Sequence, residues 1–280
     1  MENTIETREA CSARETATMK TEELRENFLI PKIFVEDEVR LTLSFYDRFI
    51  AGGIMPVNTL INLPNPANLK AGYFLQRREM GIINVGGKGM IEADGQTFEL
   101  DFKEALYIGK ETKNVNFASA DKSDPAKFYI NSAPAHQKYS TIKVTKTEAE
   151  IVTLGSLENS NHRTINKLLV ASVIETCQLQ MGMTELKPGS VWNTMPAHTH
   201  DRRMEVYFYF EVPKDQSVCH FMGEPRESRH IWIQNEQAVI SAPWSIHAGA
   251  GTSNYTFIWG MAGENLDYGD MDLCPITELK

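Results

Sequence analysis

Apolar and polar side chains alternate along much of the chain. In Arg40-Leu-Thr-Leu-Ser-Phe-Tyr46 the leucines and phenylalanine fall on every second position, and Gly89-Met-Ile-Glu-Ala93 repeats the pattern. A period of two is that of an extended strand with one face buried. Asp94-Gly95 then supplies a hairpin turn, and Phe98-Glu-Leu100 returns from it. Further short strands are expected at Ala105–Ile108, Val115–Phe117 and Lys127–Ile130. Others follow at Glu205–Phe210, Val218–Met222, His230–Ile233, Ala238–Ile240 and Tyr255–Trp259. Many short strands with frequent turns predict a mostly β protein, a sandwich or barrel.

One segment has a helical period. Thr21 to Ile30 places Leu24, Phe28 and Leu29 on one side, with Thr21 as the N-cap and glutamates in the first turn. Residues 1–18 read as a loosely held leader. Pro134 to Arg163 is rich in Lys, Thr, Ser, Glu and Asn and reads as a connection between two halves.

The halves resemble each other. Leu75-Gln-Arg-Arg-Glu-Met80 superimposes on His200-Asp-Arg-Arg-Met-Glu205, and Ala105–Ile108 on Ala238–Ser241. On these registers Tyr73, Leu75, Met80 and Asn114 fall where the second half has His198, His200, Glu205 and His247. The expected division is a metal-free N-terminal barrel over 1–140, a connection over 141–165 and a metal-binding barrel over 166–280.

Composition narrows the classes. The chain has 280 residues, 42% of them hydrophobic and 23% charged, which is ordinary for a globular protein. The apolar runs are too short for a membrane span and the first 25 residues lack a secretory core, so a cytoplasmic protein without a membrane partner is expected. A net charge of −9 argues against a nucleic-acid partner. It also requires a local cationic patch to attract any anionic substrate. Cys11, Cys177, Cys219 and Cys274 are widely spaced and read as reduced thiols.

The chemistry concentrates in the second half. His198-Thr-His200 puts two imidazoles on one side of an extended segment. Glu205 opens an otherwise apolar strand, where an unpaired buried carboxylate is costly. His247 follows the turn-rich Ala-Pro-Trp-Ser-Ile in a similarly apolar neighbourhood. Three imidazoles and a carboxylate suit a divalent cation such as Zn²⁺, Mn²⁺, Fe²⁺ or Ni²⁺. Tyr207 and Tyr209 share the face of Glu205 and are candidates for proton donation, or simple barrel filling. Arg202 and Arg203 are candidates for a substrate carboxylate, or for structural contacts. Trp192 and Met195 precede the first histidine and are candidates for the pocket mouth. His220 and His230 read as structural histidines.

His198-x-His200-x4-Glu205 with a late His247 is similar to the two-part metal signature of the cupin barrels. The surrounding words carry a closer likeness: Arg48-Phe-Ile-Ala-Gly-Gly-Ile-Met-Pro56, Phe74-Leu-Gln-Arg-Arg-Glu79, Trp192-Asn-Thr-Met-Pro196 and Arg202-Arg-Met-Glu-Val-Tyr-Phe-Tyr-Phe210. From about residue 20 to its end the chain resembles the bacterial 5-keto-4-deoxyuronate isomerase family. The resemblance implies two tandem cupin-like barrels, jelly-roll in type, with a short N-terminal helix. It implies one Zn²⁺ per subunit on His198, His200, Glu205 and His247, and a homohexamer. The implied activity is an aldose–ketose isomerisation in pectin and uronate breakdown, from 5-dehydro-4-deoxy-D-glucuronate to 3-deoxy-D-glycero-2,5-hexodiulosonate, through an enediol. The alternatives are a 5-deoxyglucuronate isomerase, an iron-dependent cupin dioxygenase, and a non-catalytic uronate-binding cupin.

Overall fold

A computed structural model describes residues 5–264 and 266–280. Its strands build two inner seven-stranded sheets and two outer four-stranded sheets. In the first half the inner sheet runs, edge to edge, Glu6–Arg8, Val39–Ser44, Ile50–Ile54, Phe128–Pro134, Arg78–Asn84, Ala105–Ile108 and Ile142–Val144. In the second half it runs Glu150–Leu154, Arg163–Leu169, Gln180–Leu186, Thr256–Gly263, Arg203–Phe210, Gln237–Ser241 and Leu29–Ile30. Strand for strand, the two orders correspond. The outer sheets correspond in the same way, as expected of two cupin-type barrels.

Register confirms the correspondence. Met80 pairs with Ile108 on one side and Ser132 on the other. Glu205 pairs with Ser241 and Met261. Met80 therefore holds the position of Glu205, as the sequence superposition expects, and is fully buried among apolar neighbours.

Strand pairing crosses the divisions expected at 140 and 165. Ile142–Val144 completes the first inner sheet, while Glu150–Leu154 and Arg163–Leu169 open the second. Leu29–Ile30, far upstream, closes the edge of the second sheet against Val239 and Ala238.

The N-terminal region also differs from expectation. Glu6–Arg8 pairs in parallel with Thr42–Ser44. Ala13–Thr18 is helical, capped by Ser12, whose backbone N–H and hydroxyl both reach the Glu15 carboxylate at 2.7 Å. The expected second helix spans Thr21–Phe28, but its cap is Lys20, whose backbone N–H donates to Glu23 at 2.7 Å. A side chain three residues inside the helix, rather than the threonine hydroxyl, satisfies that terminus. Arg229 donates to the carbonyls of Ala17 and Met19 and ties this region to the second barrel.

The inner sheets pack face to face. Tyr129 and Phe208 stack with ring centroids 4.4 Å apart. Lys103 bridges Glu185 and Glu211, each at 2.8 Å, and Lys127 reaches Glu236 at 2.6 Å. Glu79 is fully buried at this junction. Its carboxylate accepts the backbone N–H groups of Cys177, Gln178 and Leu179 and the Tyr107 hydroxyl, all at 2.8 Å. Four donors offset the cost of burying one charge.

Glycine is required where the barrels meet. A Cβ on Gly260 would lie 1.9 Å from Asn131 Oδ1, and one on Gly81 would lie 2.4 Å from Met181 Sδ.

Candidate metal centre and pocket

The second barrel is assembled so that four side chains from three elements meet. His198 lies on the short strand His198–Thr199, which pairs with Asp272–Leu273 from the chain's last segment. His200 follows it, held by its backbone N–H donating to Pro243 O at 3.0 Å. Glu205 points inward from Arg203–Phe210. His247 enters from the loop that precedes Ala248–Gly251. The loop Ala242–Ile246 and the last segment are what bring distant parts of the sequence together.

One donor atom from each of His198, His200, Glu205 and His247 lies within 4.8 Å of the others. His198 Nε2 and His247 Nε2 are 2.9 Å apart, and Glu205 Oε1 is 2.7 Å from His200 Nε2 and 3.7 Å from His247 Nε2. All four residues are buried. His200 Nδ1 lies 2.6 Å from Asp270 O. That carbonyl can only accept, so Nδ1 carries the proton and Nε2 turns a lone pair to the centre. Burial holds the imidazoles of His198, at about 4, and of His247 well below the ordinary histidine range. Burial pushes the Glu205 carboxyl upward, but His247 and the contact with His200 outweigh it and hold the group below its usual value. The neutral imidazoles of His198 and His247 beside an ionised carboxylate are donor states a cation requires. With Nδ1 carrying the proton, His200 Nε2 has no hydrogen to give Glu205 Oε1, 2.7 Å away, so two buried lone-pair atoms face each other across the centre. This donor set fits one borderline divalent ion.

Above the centre lies a cavity of about 260 Å³. His198, Glu205 and Tyr207 line it. So do Arg163, Arg203, Thr194 and Tyr268, within an apolar wall that includes Phe257, Trp259 and Met261. The Tyr207 hydroxyl is 3.1 Å from Thr194 Oγ1, and its ring is 5.2 Å from that of His247. Burial, reinforced by the Glu205 charge, raises the Tyr207 hydroxyl well above its ordinary range. It therefore stays protonated and is equipped to donate.

The other sequence candidates separate. Tyr209 shares the Glu205 face but lies deeper, with its hydroxyl 2.7 Å from His220 Nδ1, and does not line the cavity. Arg202 faces outward, 54% exposed and 3.5 Å from Glu264. Arg203 lines the cavity with both terminal nitrogens engaged, Nη1 donating to Asp267 O at 2.6 Å and Nη2 to Tyr268 O at 3.1 Å. Trp192 stacks on Phe221 at 5.7 Å and stands outside the cavity lining. Arg163, Thr194 and Tyr268 were not among the sequence candidates.

The chain is similar to known proteins over nearly its whole length. The model of the KduI/IolB family matches residues 31–273. A 4-deoxy-L-threo-5-hexosulose-uronate ketol-isomerase of Formosa agariphila is 59% identical, with 100% of both chains covered. A protein of the same name from Bacteroides fragilis is 57% identical over 100% of both. Among solved structures, an IolB-like protein of Salmonella typhimurium superimposes with a TM-score of 0.72 at 15% identity, covering 89% of this chain and 97% of that one. An oxalate decarboxylase of Lactobacillus farciminis gives 0.58 at 9% identity, with 88% of each chain covered. These two likenesses concern the fold.

Proposed function

Since the chain belongs to the KduI/IolB family, we propose that it is a divalent-metal ketol-isomerase converting 5-dehydro-4-deoxy-D-glucuronate to 3-deoxy-D-glycero-2,5-hexodiulosonate in uronate breakdown. The observation that carries this reading is the buried three-histidine, one-glutamate cluster at the floor of a cavity that also presents arginine and tyrosine. Relatives 59% and 57% identical bear the name of that ketol-isomerase, which favours it over the 5-deoxyglucuronate alternative.

Aldose–ketose exchange removes a proton from carbon beside a carbonyl and returns it to the neighbouring carbon. A divalent cation held by His198, His200, Glu205 and His247 would polarise the carbonyl and offset charge developing on oxygen, an effect worth several kcal/mol in such reactions. Zinc is the ion that best matches three imidazoles and a carboxylate. Tyr207, protonated at neutral pH, donates to substrate oxygen, and Thr194 Oγ1 fixes the direction of its hydroxyl. Among the described residues lining the cavity, Glu205 is the sole carboxylate, and its place in the donor cluster removes it from base duty. The tyrosine–threonine hydroxyl pair is assigned the oxygen side of the exchange: Tyr207 gives its proton to the carbonyl oxygen as the enediol forms and takes one back from the neighbouring oxygen as the enediol collapses. Arg163 is assigned the substrate carboxylate. It is half-buried at the cavity with Nη1 on Asn161 O at 2.9 Å, so its fork is less committed than that of Arg203. The apolar wall limits water around the reacting carbons.

A cytoplasmic homohexamer belongs to the same reading. Ile151, Leu154 and Leu157 stand 53%, 45% and 55% exposed, with Leu154 in the cavity lining, which suits burial by another subunit. Light scattering after gel filtration tests the assembly. The decisive experiment is a coupled assay on the unsaturated-uronate breakdown product under anaerobic conditions, with and without chelator. Turnover without oxygen, lost to chelator and restored by zinc, is expected. Turnover that needs oxygen would assign a dioxygenase, and binding without turnover would assign a uronate-binding protein.

A further inference from the structure

The first barrel has its own cavity, of about 590 Å³, and three arginines line it: Arg48, Arg77 and Arg78. Among the described lining residues none is acidic, although the chain as a whole carries a net charge of −9. Arg78 holds the position of Arg203 in the second barrel, since it pairs with Pro134 as Arg203 pairs with Gly263. The two cavities are thus at matching places in the two halves and are lined by different residues.

Arg78 is the fixed element. It is 7% exposed. Its Nε donates to Ser132 Oγ at 3.1 Å, and its Nη2 donates to the carbonyls of Arg48 and Ser132, both at 2.7 Å. That leaves Nη1 without an acceptor among the described residues. Arg77 is exposed at the rim, anchored by Nη2 on Leu69 O at 3.2 Å and Lys70 O at 2.5 Å. Arg48 is exposed on the opposite loop. Its neighbour Asp47 turns away to accept the Met204 backbone N–H at 3.2 Å. The described arginine–carboxylate ion pairs lie elsewhere, at Arg8, Arg40, Arg202 and Arg226. Burial pulls the Arg78 guanidinium down to about 9, against the opposing pull of the neighbouring Glu79 carboxylate, so it is still charged at neutral pH. Phe74 and Leu43 supply an apolar wall opposite these donors. A cavity of this size with a few convergent polar groups is of the kind that takes a small molecule.

We propose that this cavity in the metal-free barrel binds a small carboxylate of sugar-acid size, its carboxylate on Arg78 Nη1 and the rim guanidiniums of Arg48 and Arg77. The carbon skeleton lies on the apolar wall. Such a site is separate from the metal pocket and needs no metal.

Isothermal titration of the full chain with sodium D-gluconate tests this, with inorganic phosphate as the second probe. Gluconate carries the carboxylate but no carbonyl. The expected result is one saturable gluconate site that survives chelator, weakens at least tenfold in Arg48→Gln/Arg77→Gln, and is unchanged in Arg163→Gln. Far-ultraviolet circular dichroism establishes that the double variant is folded. Should it not fold, Arg77→Gln alone is expected to weaken binding at least threefold. The proposal fails if wild type shows no saturable gluconate binding, if the rim substitutions leave it unaltered, or if Arg163→Gln or chelator abolishes it. Saturable binding of phosphate alone would likewise overturn the carboxylate assignment.

Discussion

Asn131 and Gly260 hold equivalent positions in the two barrels and meet each other across the junction. Ser132 and Met261 pair with Met80 and Glu205 respectively, so the residues just before them correspond. The Asn131 side chain fills the space that a Cβ on Gly260 would need, 1.9 Å from Oδ1. At this shared position the two halves differ: one supplies the side chain and the other leaves room for it. Gly260→Ala should therefore destabilise the fold by about 1–3 kcal/mol, the usual cost of overpacking a filled core. Denaturant melts read that loss. Asn131→Ala/Gly260→Ala should recover part of it, because the clash is shared between the two sites. Additive losses in the double variant would show that the junction does not depend on this contact.

His198→Ala removes one of four converging donors. Bound metal by elemental analysis should fall well below one per chain, with turnover reduced about a thousandfold or more if the ion supplies several kcal/mol to the barrier. Full metal loss at a normal rate would make the ion structural.

Tyr207→Phe deletes only the hydroxyl beside Thr194. Loss of a proton donor of this kind costs about 10²–10⁴ in rate. The kcat should drop while KM and metal content stay near wild type. An unchanged kcat assigns the ring to barrel filling.

Arg163→Gln should act on the other parameter. A guanidinium that grips the substrate carboxylate equally before and during reaction contributes uniform binding, so KM rises about tenfold or more with kcat largely kept. If kcat falls and KM holds, Arg163 is not the carboxylate ligand.

His220 is fully buried, and burial holds its imidazole down to about 3. The unfolded chain protonates this group near pH ~6.5, whereas the folded protein resists until much lower pH. Its contribution to stability is intact above ~6.5 and is lost as pH falls toward 3, by about 1.4 kcal/mol per pH unit for one proton. Urea melts from pH 6.5 to 4.5 should show His220→Gln with the shallower slope by about that amount. Equal slopes would mean that His220 protonates in the folded state.

Outer strands such as Gly89–Ala93 are legible because they bury one side and alternate, whereas inner strands such as Thr256–Gly263 are buried on both faces and read instead as short apolar runs rich in aromatic and β-branched residues. Leu29–Ile30 is not legible, because two residues carry no period and their partner lies at the far end of the chain. The polar stretch that reads as a connection hides Ile142–Val144 and Glu150–Leu154 for a related reason: edge strands face solvent on one side and look like loop. The four candidate metal ligands could be picked out because imidazoles and a carboxylate in apolar surroundings demand an explanation. That Arg203 rather than Arg202 faces the cavity was within reach of the sequence, since residues two apart on a strand share a face and Arg203 stands two before Glu205. Thr194 and Tyr268 were not, because the fold alone places those loops above the cavity.

The edge strand Leu29–Ile30 bears on how the molecule is made. On the ribosome it emerges early, yet the segment it must pair with, Gln237–Ser241, is among the last to be translated. The second half of a nascent chain can thus acquire all its other neighbours and still wait for a piece that left the exit tunnel long before. Expressing the second half by itself would leave that edge bare, with the risk of aggregation that unpaired edges bring, so the second repeat depends on a strand that the first half of the chain supplies.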